Sequence, residues 1–126
     1  MRKRERIIIA CGGFDPLSIE DLDFLKLCRS KGDWLIVGVH SDWWLASIQG
    51  GFMQSYESRK RIIQELKCVD EVMDFNDSDG TDCQILKLVK ILYPNSDIVY
   101  ISEQDMKDQP ESKIRGITFA KLIGDR

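Results

Sequence analysis

The sequence predicts a single α/β domain built on an open, mostly parallel sheet with helices on both faces. Three observations carry that expectation. Short runs that are apolar at every position, rather than at alternate ones, mark strands covered on both faces. Between them lie segments with apolar residues three and four apart, and strand–helix alternation of this kind builds βαβ units. A chain of 126 residues suits one domain with one core, and no repeat, low-complexity tract or linker divides residues 1–126.

Taken in order, Ile7-Ile8-Ile9-Ala10-Cys11 forms the first strand. The first helix follows, with Leu22, Leu25 and Cys28 on one stripe beside Phe24 and Leu27, and Gly32 stops it. Trp34-Leu35-Ile36-Val37-Gly38-Val39 is the second strand. A second helix runs over residues 56–67 with Ile62, Ile63 and Leu66 inward, and a weaker strand covers residues 69–75. The third helix holds Ile85, Leu86, Val89 and Leu92 and ends before Pro94, and Ile98-Val99-Tyr100-Ile101 is the fourth strand. Residues 102–115 form one long irregular stretch, and a short last helix is expected over residues 117–123.

Composition narrows the function. Apolar residues make up 43% and charged residues 31%, the balance of a globular protein, and a net charge of −3 disfavours nucleic acid as a partner. The basic start, Met1-Arg2-Lys3-Arg4-Glu5-Arg6, reads as a solvated lead-in to the first strand. No apolar run approaches the roughly 20 residues that span a bilayer, and residues 7–11 are too short for the core of a signal peptide. The expectation is a cytoplasmic protein without membrane contact. Cys11, Cys28, Cys68 and Cys83 show neither a C-x-x-C spacing nor paired histidines, which suits reduced, mostly buried thiols.

Ligands of open α/β sheets bind beyond the carboxyl ends of the strands, which directs attention to residues 12–21, 40–56, 76–81 and 102–118. The first of these, Gly12-Gly13-Phe14-Asp15-Pro16-Leu17-Ser18-Ile19-Glu20-Asp21, resembles the G-x-F-D-x-x-(H/T)-x-G-H signature of the cytidylyltransferase-like nucleotidyltransferase superfamily. Gly32-Asp33-Trp34-Leu35-Ile36-Val37-Gly38-Val39-His40-Ser41-Asp42 is similar to that family's G-D-x-L-I-V-G-V-x-x-D strand. Ser55-Tyr56-Glu57-Ser58-Arg59-Lys60, followed by Val69-Asp70-Glu71-Val72, is similar to its Y-E-x-R-K…V-D-E-V segment. The pattern is nearest to the glycerol-3-phosphate cytidylyltransferases and the nucleotidyltransferase domains that activate heptose phosphates.

The resemblance implies a Rossmann-like fold. It also implies a reaction that joins a nucleoside triphosphate to a phosphorylated polyol or sugar and releases pyrophosphate. Such catalysis is positioning plus stabilisation of charge on the α-phosphate. It further implies nucleotide or phosphate contacts from Gly12, Gly13, Phe14, Asp15, Asp42 and Arg59, with Arg59 reaching phosphate or, alternatively, lying on a helix surface. Arg115-Gly116-Ile117-Thr118-Phe119-Ala120 looks like a worn form of the family's R-T-x-G-x-S-T-T, which offers hydroxyls and a helix start to the triphosphate. On this reading Arg115, Gly116 and Thr118 complete the cradle, although the stretch from 100 to 116 looks too short for the family's additional strand. Family members are often dimers, and the apolar stretch over residues 43–52 suits an interface.

The departures fall on the chemistry. Ser18, Ile19, Glu20 and Asp21 stand where the family has its histidine-x-glycine-histidine. Ser18 matches a tolerated threonine, but Asp21 puts negative charge where a donor to phosphate belongs. Ser18-x-x-Asp21 reads instead as a capping box, with Leu17 and Leu22 placed for a hydrophobic staple and Glu20, Asp21 and Asp23 at the positive end of the helix dipole. No lysine or arginine occurs over residues 32–58, so the family's loop lysine is missing too. An active enzyme here would need Mg²⁺, held by Asp15, Glu20 or Asp21, to offset these carboxylates. The expectation is transferase activity lost or very weak, with a non-catalytic ligand-binding or protein-interaction module as the alternative.

Three other features are weaker. His40, the one histidine, lies on the functional edge but has no visible partner in sequence and reads as incidental. Trp43-Trp44 could stack on a base, pack on the sheet edge or meet a second subunit. Phe75-x-Asp77-x-Asp79-Gly80 fails as a calcium loop, because Phe75 and Leu86 occupy its first and twelfth positions, and reads as a turn leading to a helix cap.

Overall fold

The computed structural model describes residues 5–121. Five parallel strands form one sheet in the order β3-β2-β1-β4-β5, with β1 Arg6–Gly12, β2 Trp34–Val39, β3 Glu71–Met73, β4 Asp97–Ser102 and β5 Thr118–Lys121. The helices are α1 Ile19–Ser30, α2 Asp42–Gln49, α3 Tyr56–Gln64 and α4 Cys83–Leu92, with a 3₁₀ turn at Pro110–Lys113. No helix among the described residues is long and apolar enough to cross a membrane.

Continuous hydrophobicity in β1 and β2 serves two cores at once. Ile8, Ala10, Leu35, Val37 and Ile101 face α1 and α3, where Leu25, Cys28 and Ile63 close the layer. Ile7, Ile9, Ile36, Ile98 and Tyr100 face α4, whose Ile85, Leu86 and Val89 are fully buried. Each such side chain removed from water contributes about 1.5–3 kcal/mol, so the central strands anchor everything that follows. Cys28 is buried and Cys11, Cys68 and Cys83 are half-buried, all as free thiols.

The structure departs from the sequence-based expectation at several elements. The last one is a strand, not a helix: Val99, Tyr100, Ile101 and Ser102 pair with Thr118, Phe119, Ala120 and Lys121. Phe119 packs edge-on against Tyr100 on the α4 face, while Ala120 packs against the opposite core. Four residues with one apolar side chain on each face satisfy a strand, and so short a run carries no decisive period. Residues 122 and 123 of the expected helix lie outside the described residues, as does the basic start at 1–4. Residues 102–117 are long enough for the crossover that precedes β5, and Met106, Ile114 and Ile117 fasten that crossover to the α4 core.

α2 was not expected. Ser41 caps it through Trp44 N–H at 3.0 Å, and Gly50 ends it with φ 82°. Only Leu45 of its residues is buried, so no apolar stripe announces it. α3 stops at Gln64 rather than 67, Ile62 is exposed, and β3 is shorter than the run over residues 69–75. Leu92 of α4 is likewise exposed.

Candidate functional site

The strand order reverses between β1 and β4, because the chain moves outward from β1 through β2 to β3 and then returns to the other side. That crossover point is where open α/β sheets leave a crevice. A cleft of about 230 Å³ lies there, beyond the carboxyl ends of β1, β2 and β4. Cys11, Gly12, His40, Trp44, Tyr100 and Glu111 are among its walls. Among the described residues its lining includes the carboxylates of Asp82, Glu103 and Glu111 and no lysine or arginine.

The turn that leaves β1 is tightly built. Phe14 takes φ 52°, a left-handed conformation uncommon for a bulky residue, and is buried. Its ring folds back over Gly12, where a Cβ would lie 2.8 Å from the ring. Gly13 has the same constraint from Leu45 of α2, at 2.7 Å. Asp15 then accepts Met53 N–H and Gln54 N–H, both at 2.7 Å, so its carboxylate holds the segment between α2 and α3.

The expected capping box is present. Ser18 Oγ accepts Asp21 N–H at 3.0 Å and Asp21 Oδ2 accepts Ser18 N–H at 3.0 Å. Two of the helix-start donors that would otherwise face an anion are therefore satisfied internally. Leu17 packs on the core beside this start.

Arg59 is neither on a helix surface nor open to a ligand. It is 0% exposed. Its guanidinium donates to the carbonyls of Gln54 at 2.9 Å, Gly13 at 2.9 Å and His40 at 2.6 Å, and pairs with Asp42 Oδ1 at 2.7 Å. Four of the five donors of an arginine are thus engaged. Gly12, Gly13, Phe14, Asp15, Asp42 and Arg59 are brought together, but as a scaffold that ties the β1 turn to α2 and α3.

Arg115, Gly116 and Thr118 are not brought to this place. Thr118 opens β5 opposite Val99, while the carboxyl end of β5 is Lys121 opposite Ser102. The three residues therefore lie toward the amino-terminal edge of the sheet, away from the cleft. There the Arg115 carbonyl accepts a hydrogen bond from Lys90, and Gly116 turns the chain with φ 84°. A strand follows them where the resemblance implies a helix start.

The groups that sequence reasoning missed form a buried polar cluster at the floor of the cleft. His40 is 4% exposed and sits between two carboxylates, with Nδ1 3.0 Å from Asp77 Oδ2 and Nε2 3.2 Å from Asp82 Oδ1. Far from incidental, it has partners on both ring nitrogens. Trp44 stacks on its ring at 3.8 Å and Phe75 meets it edge-on at 5.6 Å. Trp44 therefore lies under the site as a packing residue, whereas Trp43 is exposed.

The other partners complete the cluster. Ser41 N–H and Oγ also hold Asp77, at 2.9 and 2.7 Å. Tyr100 donates to the remaining oxygen of Asp82, whose own N–H donates to Glu111 Oε2 at 2.7 Å. Asp82 begins α4 without capping it, its carboxylate being used by His40 and Tyr100 instead. Asp77 and Asp79 stand in the expected turn, where Asp79 accepts Thr81 N–H at 2.9 Å.

Titration follows this geometry. Burial alone would lower the His40 pKa, but the bonds and charges of Asp82 and then Asp77 outweigh it and raise it above the usual histidine value. Burial would raise the Asp77 carboxyl, yet Ser41 and His40 together hold it below its usual range. Burial, reinforced by Asp82, pushes the Cys11 thiol well up, which favours its protonated form. Tyr100 is raised by burial and the same neighbours.

Comparison with known proteins gives consistent relatives. A family model described as cytidylyltransferase-like matches residues 9–124. An ethanolamine-phosphate cytidylyltransferase of Dictyostelium discoideum is 35% identical over 74 residues, 57% of this chain and 21% of that protein. The bifunctional protein HldE of Sulfurimonas denitrificans is 30% identical over 88 residues, 68% of this chain and 18% of that protein. The chain thus spans about a fifth of the length of these curated relatives. A lipopolysaccharide core biosynthesis protein from Thermoplasma volcanium superposes with TM-score 0.71 at 27% identity, covering 95% of this chain and 97% of that one. A nicotinic acid mononucleotide adenylyltransferase of Plasmodium falciparum shares the fold at TM-score 0.57 and 18% identity, over 78% of this chain and 50% of that one.

Proposed function

The chain belongs to the cytidylyltransferase-like nucleotidyltransferase family, and from that premise we propose that it keeps the family's cleft while transferring nucleotides very weakly or not at all. The observation that carries this reading is the start of α1. Where the family presents two histidines to a triphosphate, Ser18 and Asp21 bond to each other's backbone N–H. The negative charge of Asp21, with Glu20 beside it, already answers the positive end of the helix.

Two further observations support it. Arg59, a cation the resemblance assigns to phosphate, is spent on three carbonyls and Asp42. The cleft itself is walled by carboxylates and, among the described residues, lined by no lysine or arginine, which opposes a polyanion. Mg²⁺ belongs only to a surviving transfer reaction. Both oxygens of Asp15 and one of Asp21 already accept backbone N–H groups, which leaves few oxygens for a metal brought in with a triphosphate. On this reading the chain is a ligand-binding or interaction module on a transferase fold.

The test is pyrophosphate release from CTP and ATP with Mg²⁺, over sugar, polyol and ethanolamine phosphates as acceptors. Losing one preorganised donor to a developing oxyanion costs about 10²–10³ in rate, so a chain lacking both histidines is expected to fall more than ~10³-fold below a family member that has them. Turnover comparable to such an enzyme overturns the reading. Asp21→His is expected to tighten CTP or ATP binding in calorimetric titration, and an unchanged affinity would count against the charge argument.

The same reading extends to self-association. Trp43, Ile48, Phe52 and Met53, on and just after α2, are 54%, 65%, 46% and 78% exposed. This patch supports a homodimer. Light scattering that reports a monomer at high protein concentration removes it.

A further inference from the structure

We propose that His40 is a pH-operated clamp on the cleft: as an imidazolium it ties the loop before α4 to the carboxyl end of β2, and on losing its second proton it releases Asp82 and loosens the wall that Asp82 and Glu111 form.

The geometry demands two donors on the ring. Nδ1 faces Asp77 Oδ2 at 3.0 Å and Nε2 faces Asp82 Oδ1 at 3.2 Å, and ionised carboxylates only accept. A neutral imidazole carries one N–H, so one of these contacts would become acceptor against acceptor. Asp77 is held independently by Ser41 N–H and Oγ and stays in place. Asp82 is held at the longer of the two distances, and Tyr100 and the Cys11 thiol remain as its side-chain partners. The contact to Asp82 is therefore the one that opens.

The consequence reaches several elements. Asp82 begins α4, and its N–H is gripped by Glu111 of the 3₁₀ turn, so movement at Asp82 is passed to the crossover that walls the cleft. The charged and titratable groups facing this point are Asp77 and Asp82 before α4, Glu111 from the 3₁₀ turn, Tyr100 from β4 and Cys11 from β1. Behind the ring, Arg59 of α3 donates to the His40 carbonyl at 2.6 Å and is neutralised by Asp42. Trp44 covers one ring face, so the imidazolium is fixed in plane as well as in charge.

The sign follows from linkage. A histidine whose pKa is raised on folding adds stability that is fully present below its unfolded value of about 6.5 and is lost as pH rises through the folded value. The raised pKa of His40 puts that loss above about pH 6.5.

The test is an NMR titration of the intact protein, in which the single histidine makes the imidazole signals unambiguous. His40 is expected to titrate above about pH 6.5, with the amide signals of Asp82 and Glu111 moving at the same midpoint while Ser41 and Asp77 move less. Asp82→Asn is expected to lower that midpoint, and the wild-type titration stands by itself if the variant does not fold. The melting temperature of the wild type should fall as pH rises through the midpoint, and His40→Asn should flatten that fall. The clamp is overturned by a midpoint at or below about 6.5, by Asp82 and Glu111 signals that ignore it, or by a ring that stays protonated until the protein unfolds.

Discussion

Arg59→Met is expected to destabilise the fold by about 2–5 kcal/mol, chiefly because three carbonyls lose charge-assisted hydrogen bonds worth about 1.5–3 kcal/mol each, while Asp42, 37% exposed, recovers part of its loss from water. Methionine fills much of the volume but offers no donor. The carbonyls of Gly13, His40 and Gln54 would then be left with one bond fewer, and Asp42 without its cation. These groups belong to the β1 turn, the end of β2, the start of α2 and the approach to α3, so one substitution unties four segments. Set against a total of about 5–15 kcal/mol for a domain, the loss is large. Urea unfolding reads it as a lower midpoint at unchanged slope. A loss below about 1 kcal/mol, the net worth of one ordinary hydrogen bond, would mean that the guanidinium does not hold these loops together.

Ile85→Ala is the second large effect, expected at about 2–5 kcal/mol because the side chain is fully buried and the surrounding sheet relaxes little. Its partner across the interface is Gly38, where an added Cβ would lie 2.8 Å from Ile85 Cδ1, 2.8 Å from Phe75 Cε1 and 3.0 Å from Cys11 Sγ. Gly38→Ala alone is accordingly an overpacking change of about 1–3 kcal/mol. Combined, the new methyl group enters space that Ile85 vacates, and the double variant should be more stable than the sum of the singles by about 0.5–3 kcal/mol. Strict additivity would mean that β2 and α4 adjust independently, contrary to the packing on that face.

Local patterns were legible in the sequence, and long-range pairings were not. β1, β2 and the start of α1 were readable because their signals sit within a few residues: an unbroken apolar run, or Ser18 three residues before Asp21. α2 escaped because only Leu45 of its eight residues is buried, leaving a cap at Ser41 and a stop at Gly50 as its signals. β5 reads as a helix in sequence because a four-residue strand offers too few positions to establish a period. His40 shows no partner in sequence because Asp77 lies 37 residues away, and parallel pairing of β2 with β3 is what brings that loop near it. Arg59 reads in sequence as a phosphate contact or a helix-surface residue, and its burial with four hydrogen bonds is not legible there because the carbonyls it reaches lie up to 46 residues away.

The reciprocal bonds at the start of α1 also bear on how this chain could change. Asp21→His alone removes the acceptor for Ser18 N–H, and Ser18→His alone removes the acceptor for Asp21 N–H. Either first step gives up helix capping, about 1 kcal/mol in the case of Ser18, which the gain in phosphate binding must offset. The Ser18–Asp21 pair thus works as a ratchet. Each bond is made to a backbone N–H and stands without the other side chain, so stability falls at every single step toward the histidine pair and rises at every step away from it.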